Sequence, residues 1–270
     1  MARSVAALRP FRDEVGLGAP GPPADLPCLD DHLDAALAEG FAVLSFTFGL
    51  LPSATVRRAR DAGVTVVLGT ATTPEEAARL EGSGVDAVVA QGSEAGGHRG
   101  TFAGPPEHAL VGTMALVPRV RARLRVPVVA PGGIADGSGV VAALALGASA
   151  AQLGTAFLAC TESGASPAYE AAVTDPADRD RTALTRAFTG RLARGLRNRF
   201  IDGMEGRPLL PYPLQNSLTQ DLRQAATRAG KADLLSLWAG QGAAPRGGVP
   251  AAEIVAGIVR EAEEALATLG

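Results

Sequence analysis

The densest grouping of reactive side chains is the stretch AQGSEAGGHRGTF, residues 90–102, which puts Gln91, Glu94, His98 and Arg99 into one glycine-rich segment. An imidazole that titrates near neutrality can take a proton from an acidic carbon or donate a hydrogen bond to a developing oxyanion, so His98 is the candidate for proton chemistry. Arg99 beside it reads as a solvated charge, with attraction of an anionic substrate as the alternative. His108, just beyond and ahead of a helix, reads as structural. Two further turns, PGGIADG at 131–137 and QLGTAF at 152–157, each precede a helix start. Glycines at 132, 133 and 154 let the backbone approach an anion closely, and Thr155 adds a hydroxyl donor. One such turn would do no more than shape a strand-to-helix connection; two in tandem point to a phosphate.

Something must hold these turns in place, and the pattern between residues 40 and 160 supplies it. Short β-branched apolar runs alternate with alanine-rich helical stretches, as in parallel βαβ units. Strands are predicted at 42–47, 64–68, 86–90, 127–130 and 150–153. The His98 segment follows the third of these, and a loop at the carboxyl end of a parallel strand is where such folds do chemistry. Between the second and third strands, Thr73 is placed to cap a helix, Pro74 suits its first turn and Glu76 would complete a capping box; the run 82–84 (GSG) ends it. The uncharged stretch 140–159 is broken by Gly147, Ser149, Gln152, Gly154 and Thr155, so it reads as two short buried elements and not as a membrane span. After residue 160 the pattern becomes mostly helical. The last helix, from Pro250, puts Ile254, Val255, Ile258, Val259 and Leu266 on one stripe expected to dock on the body.

Bulk composition narrows the classes. A net charge of −3, from 25 basic and 28 acidic residues mixed along 270 positions, leaves no basic face for a nucleic acid. The N-terminal residues carry a charge every few positions and build no apolar signal-peptide core. Cys28 and Cys160 lie far apart without metal spacing, which fits a reduced, cytoplasmic setting and two small buried side chains. No membrane association is expected, and the subunit number is open, a homo-oligomer included.

At this point a resemblance becomes specific. VVAQGSEAGGHRGTF, PVVAPGGIADG, AQLGTAFLACTES and LWAGQG, in that order, resemble the successive signatures of the nitronate monooxygenases, once called 2-nitropropane dioxygenases. The likeness runs from about residue 40 to the C-terminus. It implies an FMN-containing TIM-type (β/α)8 barrel that oxidises alkyl nitronates, or nitroalkanes, with molecular oxygen to a carbonyl compound and nitrite. By the same resemblance Gln91, Gly96, Gly133, Gln152, Leu153, Gly154 and Thr155 would contact FMN, the last four at its phosphate, and His98 matches the family's catalytic histidine. No metal site is implied. Tyr212 and Trp238 read as core packing, with lining of the cleft as the alternative. The runner-up within enzymes is a flavin-dependent enoyl-acyl-carrier-protein reductase or NAD(P)H:quinone reductase; outside enzymes it is a truncated, non-catalytic remnant.

A complete barrel has eight strands at roughly 30 residues per βα unit, or roughly 240 residues before any appendage. Here the barrel pattern fills only residues 1–160, so the barrel is expected to be incomplete at its N-terminus, with 161–270 as a mostly helical C-terminal region. The first remaining strand would then have an unpaired edge. A misplaced start, a degenerate gene, or a cover from residues 1–40 and a second copy would each account for that.

Overall fold

The structure, a computed structural model, describes residues 1–21, 29–175, 177, 181–242 and 245–269. Cys28 lies outside the described residues; Cys160 is buried, as expected. In chain order the strands are β1 (Val43–Phe46), β2 (Val66–Ala71), β3 (Ala87–Ala90), β4 (Gly97–His98), β5 (Val128–Pro131), β6 (Ala150–Gln152), β7 (Thr182–Thr185) and β8 (Ala193–Leu196). The helices are α1 (Ala2–Glu14), α2 (Leu29–Ala38), α3 (Ser53–Asp61), α4 (Pro74–Gly82), α5 (Thr113–Arg121), α6 (Gly137–Ala145), α7 (Pro167–Thr174), α8 (Arg199–Met204), α9 (Leu214–Arg228) and α10 (Ala251–Leu269). They fall into two compact units. One comprises Met1–Asp25, Gly96–His98 and Gly154–Ile258, the other Leu26–Ala95, Arg99–Leu153 and Val259–Gly270.

The second unit is the half-barrel. Its five parallel strands lie in the order β1-β2-β3-β5-β6, with Val66 beside Val43, Ala87 beside Leu68, Val128 beside Val88 and Ala150 beside Val129. All five predicted strands are present, and their parallel α/β arrangement is TIM-like. β3 (AVVA) is buried throughout, as a central strand must be when helices cover the sheet. Around it pack Val67, Leu80, Leu116, Val117, Val120 and Val128. β1 is an edge strand, and Val43 on it is 53% exposed. The segment 140–159 is indeed no continuous helix: it holds the end of α6, then β6, then a 3-10 turn at Thr155–Phe157. β6 is partly exposed because it too lies at a sheet edge.

In α4, Thr73 caps as expected, accepting from Glu76 N at 3.1 Å, with Pro74 in the first turn. The capping box does not form. Glu76 is fully buried, and its carboxylate instead accepts from Thr72 N and Thr72 Oγ1, both at 2.7 Å, and from Phe102 N and Ala103 N. An anion buried this deeply requires several donors, and the segment after Arg99 supplies two of them.

The first unit has a core of Leu8, Phe11, Phe188, Phe200, Met204 and Leu222 with their neighbours, in which the Phe188 and Phe200 rings stack at 4.6 Å. Buried Arg12 ties α1 to α9 through a two-pronged pair with Asp221, each contact 2.7 Å. The mostly helical region after residue 160 also supplies β7 and β8, which join β4 (Gly97–His98) in an antiparallel sheet of order β4-β8-β7 that the sequence pattern does not announce. ARGL has no β-branched residue and TALT, though it holds Thr182 and Thr185, is only four residues long, so pairing rather than propensity makes them strands. α10 departs from expectation as well: Ile254 is buried, but Val255, Val259 and Leu266 are about half exposed at 49%, 50% and 57%. The helix buries the Ile254 and Gly257 face, so the stripe read from the sequence is split between core and solvent. No described helix is long and apolar enough to cross a membrane.

Candidate active site

His98 lies not in an open loop but in β4, where it pairs with Ala193 of β8. Two glycines permit this. Gly97 has φ +76°, which L side chains rarely adopt, and a Cβ on Gly96 would come within 2.6 Å of Gly240 N and 2.7 Å of Ala239 C. The LWAGQG segment is thus packed directly on the histidine strand. It also holds β8, since Leu196 N donates to Leu237 O at 2.8 Å, and it holds the 3-10 turn, since Gly240 N donates to Thr155 Oγ1 at 2.9 Å.

The imidazole stands 5.4 Å from the Trp238 ring and 6.1 Å from that of Tyr212, centroid to centroid. Trp238 also meets Phe188 edge-on and so belongs to core and site together. Tyr212 is 43% exposed, which corrects the core-packing expectation. It is brought to His98 by Gly190, at φ +81°, where a Cβ would run into Leu210 O and Tyr212 N. His98 Nε2 lies 2.8 Å from Thr189 Oγ1, a hydroxyl that also approaches Arg191 O at 3.2 Å. Thr189 is buried and keeps the ring from turning. Burial first, then the positive charges of Arg191 and Arg223, lower the His98 pKa from 6.5 to about 4. The expectation of titration near neutrality is therefore corrected: at neutral pH His98 is an uncharged imidazole, able to accept a proton.

In the half-barrel, Gln91 ends β3's run, and its Oε1 accepts from Gly100 N at 2.8 Å. Arg99 is neither solvated nor aimed at a substrate. It is fully buried, donating to Gly92 O at 2.6 Å and Gln91 O at 2.9 Å, because the glycine-rich segment turns its carbonyls inward. Glu94 caps α5 from a distance in sequence, accepting from Thr113 N at 2.9 Å, where Gly112 has no capping side chain. His108 is exposed in a 3-10 turn.

The glycine turns are unequal as anion sites. Gly132 and Gly133 have φ +116° and +74°, as tight turns require. Farther along that turn, α6 has its first amides already taken by carboxylates: Asp136 Oδ1 accepts from Gly139 N at 2.8 Å and Glu261 Oε2 from Gly137 N at 3.1 Å. The Gly154 turn differs. A Cβ there would meet nothing within 4 Å, no side chain caps the 3-10 turn, and Thr155 Oγ1, an acceptor toward Gly240, keeps its proton for another partner. The first amides of a helical turn have no partner inside it. Open space, free-standing donors and a hydroxyl suit a phosphate, so the residues around Gly154 fit the mononucleotide that the resemblance implies. Gln152, Leu153 and Gly133 belong to the half-barrel, Gly96, Gly154 and Thr155 to the other unit.

The model of the nitronate monooxygenase family matches residues 18–261. The chain belongs to the nitronate monooxygenase family. A Pseudomonas aeruginosa relative named nitronate monooxygenase is 50% identical over 232 residues, 85% of this chain and 66% of its own length. A probable nitronate monooxygenase of Staphylococcus aureus is 42% identical over 234 residues, 85% of this chain and 65% of its own. The chain thus spans a little under two thirds of these relatives. Among solved structures, the nitroalkane oxidase of Streptomyces ansochromogenes matches with a TM-score of 0.92 and 43% identity, over 99% of this chain and 77% of that one. FabK from Thermotoga maritima matches with a TM-score of 0.71 and 32% identity, over 90% and 75%.

Proposed function

We propose that this protein is an FMN-dependent oxidoreductase that oxidises alkyl nitronates, or the parent nitroalkanes, with molecular oxygen to a carbonyl compound and nitrite. The carrying observation is His98: uncharged at neutral pH, held by Thr189, and flanked by Trp238 and Tyr212. Family membership and the likeness to a nitroalkane oxidase support the same reading. Gly154 and Thr155, with Gln152 and Leu153 preceding them, would hold the FMN phosphate, and Gln91, Gly96 and Gly133 would contact the rest of the cofactor. Bound FMN would supply the oxidation of the nitronate and the reaction with oxygen.

The chain's own contribution is to bind, orient and move a proton. Toward a neutral nitroalkane, His98 acts as the base that removes the proton from the carbon bearing the nitro group. Toward a nitronate, already deprotonated, it steadies the anionic nitro group, and the positive field of Arg191 and Arg223 favours that anion at the same place. Trp238 and Tyr212 exclude water from one side of the imidazole.

Two measurements test this. Purified protein is expected to show flavin absorbance or to take up added FMN, and to be bleached anaerobically by a nitronate alone. Bleaching by NADH or NADPH without nitronate, or failure to take up FMN at all, would overturn the assignment. His98→Asn is expected to keep FMN and lose turnover by roughly 100-fold or more, the usual contribution of a positioned proton-transfer group.

A further inference from the structure

Within the half-barrel, the turns after β3 and β5 and the start of α5 meet on one pair of side chains, Glu94 and Thr113. Thr113 N donates to both Glu94 oxygens at 2.9 Å, so a carboxylate from the β3 turn seats the first turn of α5. Thr113 is itself buried and reaches on to the β5 turn: its hydroxyl lies 2.8 Å from Gly132 O and 3.1 Å from Glu94 Oε2. A hydroxyl has one proton to give, and the shorter contact assigns it to the carbonyl. Beside this pair, Gly92 N donates to Pro131 O at 3.1 Å.

Glycines from all three segments make room for the pair. A Cβ on Gly92 would run into Thr113 Oγ1, and one on Gly132 would come within 2.9 Å of the same atom. One on Gly112 would come within 3.1 Å of Glu94 Oε1, and one on Gly133 within 3.2 Å of Glu94 Cβ. A serine or aspartate at position 112 would cap α5 without help from elsewhere. The chain instead caps it from Glu94, and the same side chain then packs on the Gly132 and Gly133 turn.

We propose that Glu94, acting through Thr113, is the positioning residue that fixes the Gly132 and Gly133 turn against the segment that carries Gln91. The consequence for the cofactor rests on the flavin-binding reading, in which Gln91 and Gly133 contact FMN; the brace itself does not. What the brace requires is a set of hydrogen bonds and not a negative charge. In Glu94→Gln the amide oxygen would accept from Thr113 N and the amide nitrogen would donate to Thr113 Oγ1, which leaves the hydroxyl proton on Gly132 O.

Amide exchange at Gly92, followed on flavin-free protein, reads the brace directly. It is expected to speed up roughly fivefold or more in Thr113→Ala and Glu94→Ala, the effect of one lost hydrogen bond, and to stay within about twofold of wild type in Thr113→Ser and Glu94→Gln. The role toward the cofactor is read from affinities for FMN and for riboflavin, which lacks the phosphate. Thr113→Ala should weaken both by the same factor, roughly tenfold, because the phosphate turn at Gly154 belongs to the other unit; Thr113→Ser and Glu94→Gln should hold both near wild type. A general loss of stability would lower the unfolding midpoint and leave the affinities of the folded protein alone. Wild-type flavin affinity in Thr113→Ala overturns the proposal. So does a Glu94→Gln protein with fast Gly92 exchange or weakened flavin binding, whether or not the alanine variants fold. A wild type that takes up neither flavin refutes the functional reading instead, and the exchange rates still decide whether the brace exists.

Discussion

The state of His98 offers the sharpest test. Its pKa falls from 6.5 to about 4 on folding, chiefly through burial, with Arg191 and Arg223 adding like-charge repulsion. At about 1.4 kcal/mol per pH unit the gap corresponds to roughly 3 kcal/mol, and partial solvent access reduces this to roughly 2 kcal/mol. The sign is fixed by which state binds the proton first. Above pH 6.5 both folded and unfolded chains carry a neutral ring, and His98 contributes nothing to the pH dependence. As pH falls from 6.5 toward 4 the unfolded chain takes up a proton that the folded one refuses, so stability is lost across that window and levels off below it. The chain has three histidines, so long-range ¹H–¹⁵N spectra can follow each ring, with His98 assigned by His98→Asn. Its midpoint is expected near 4. Urea unfolding of wild type and His98→Asn should give a stability difference that is flat above pH 6.5 and shifts against the wild type by roughly 2 kcal/mol by pH 4. A midpoint at or above 6, or a difference that stays constant through this range, refutes the reasoning.

The other expectations concern the frame around the site. Glu76→Gln puts an amide where four donors converge on a fully buried carboxylate, and should lower stability by roughly 3 kcal/mol, read as a drop in the urea midpoint. Thr189→Val removes the partner of His98 Nε2; turnover with a nitronate should fall roughly tenfold, and Thr189→Ser should restore it, in steady-state kinetics. Val259→Asp should change the unfolding free energy by no more than about 0.5 kcal/mol, because that side chain already faces solvent. A large loss there would mean that the exposed side of α10 is covered in solution.

Much of this was written locally. The five parallel strands followed from alternating short apolar runs, and β3 could be read as central because AVVA is apolar on both faces. The Thr73 cap needed only its own neighbours. The glycine turns and His98 stood out because glycine spacing carries backbone information directly. What the sequence could not express was charge in context. Arg99 and Glu76 look like surface residues until the fold surrounds each with its partners: inward carbonyls for the arginine, converging amides for the glutamate. The β4-β8-β7 sheet, the exposed ring of Tyr212 beside His98 and the split face of α10 likewise depend on contacts between segments distant in sequence. So does the protonation state of His98, since desolvation and the fields of Arg191 and Arg223 exist only once the chain has folded around the ring. Residue identity determined which groups were available for chemistry; the tertiary structure decided their charge, their partners and which of them face a substrate.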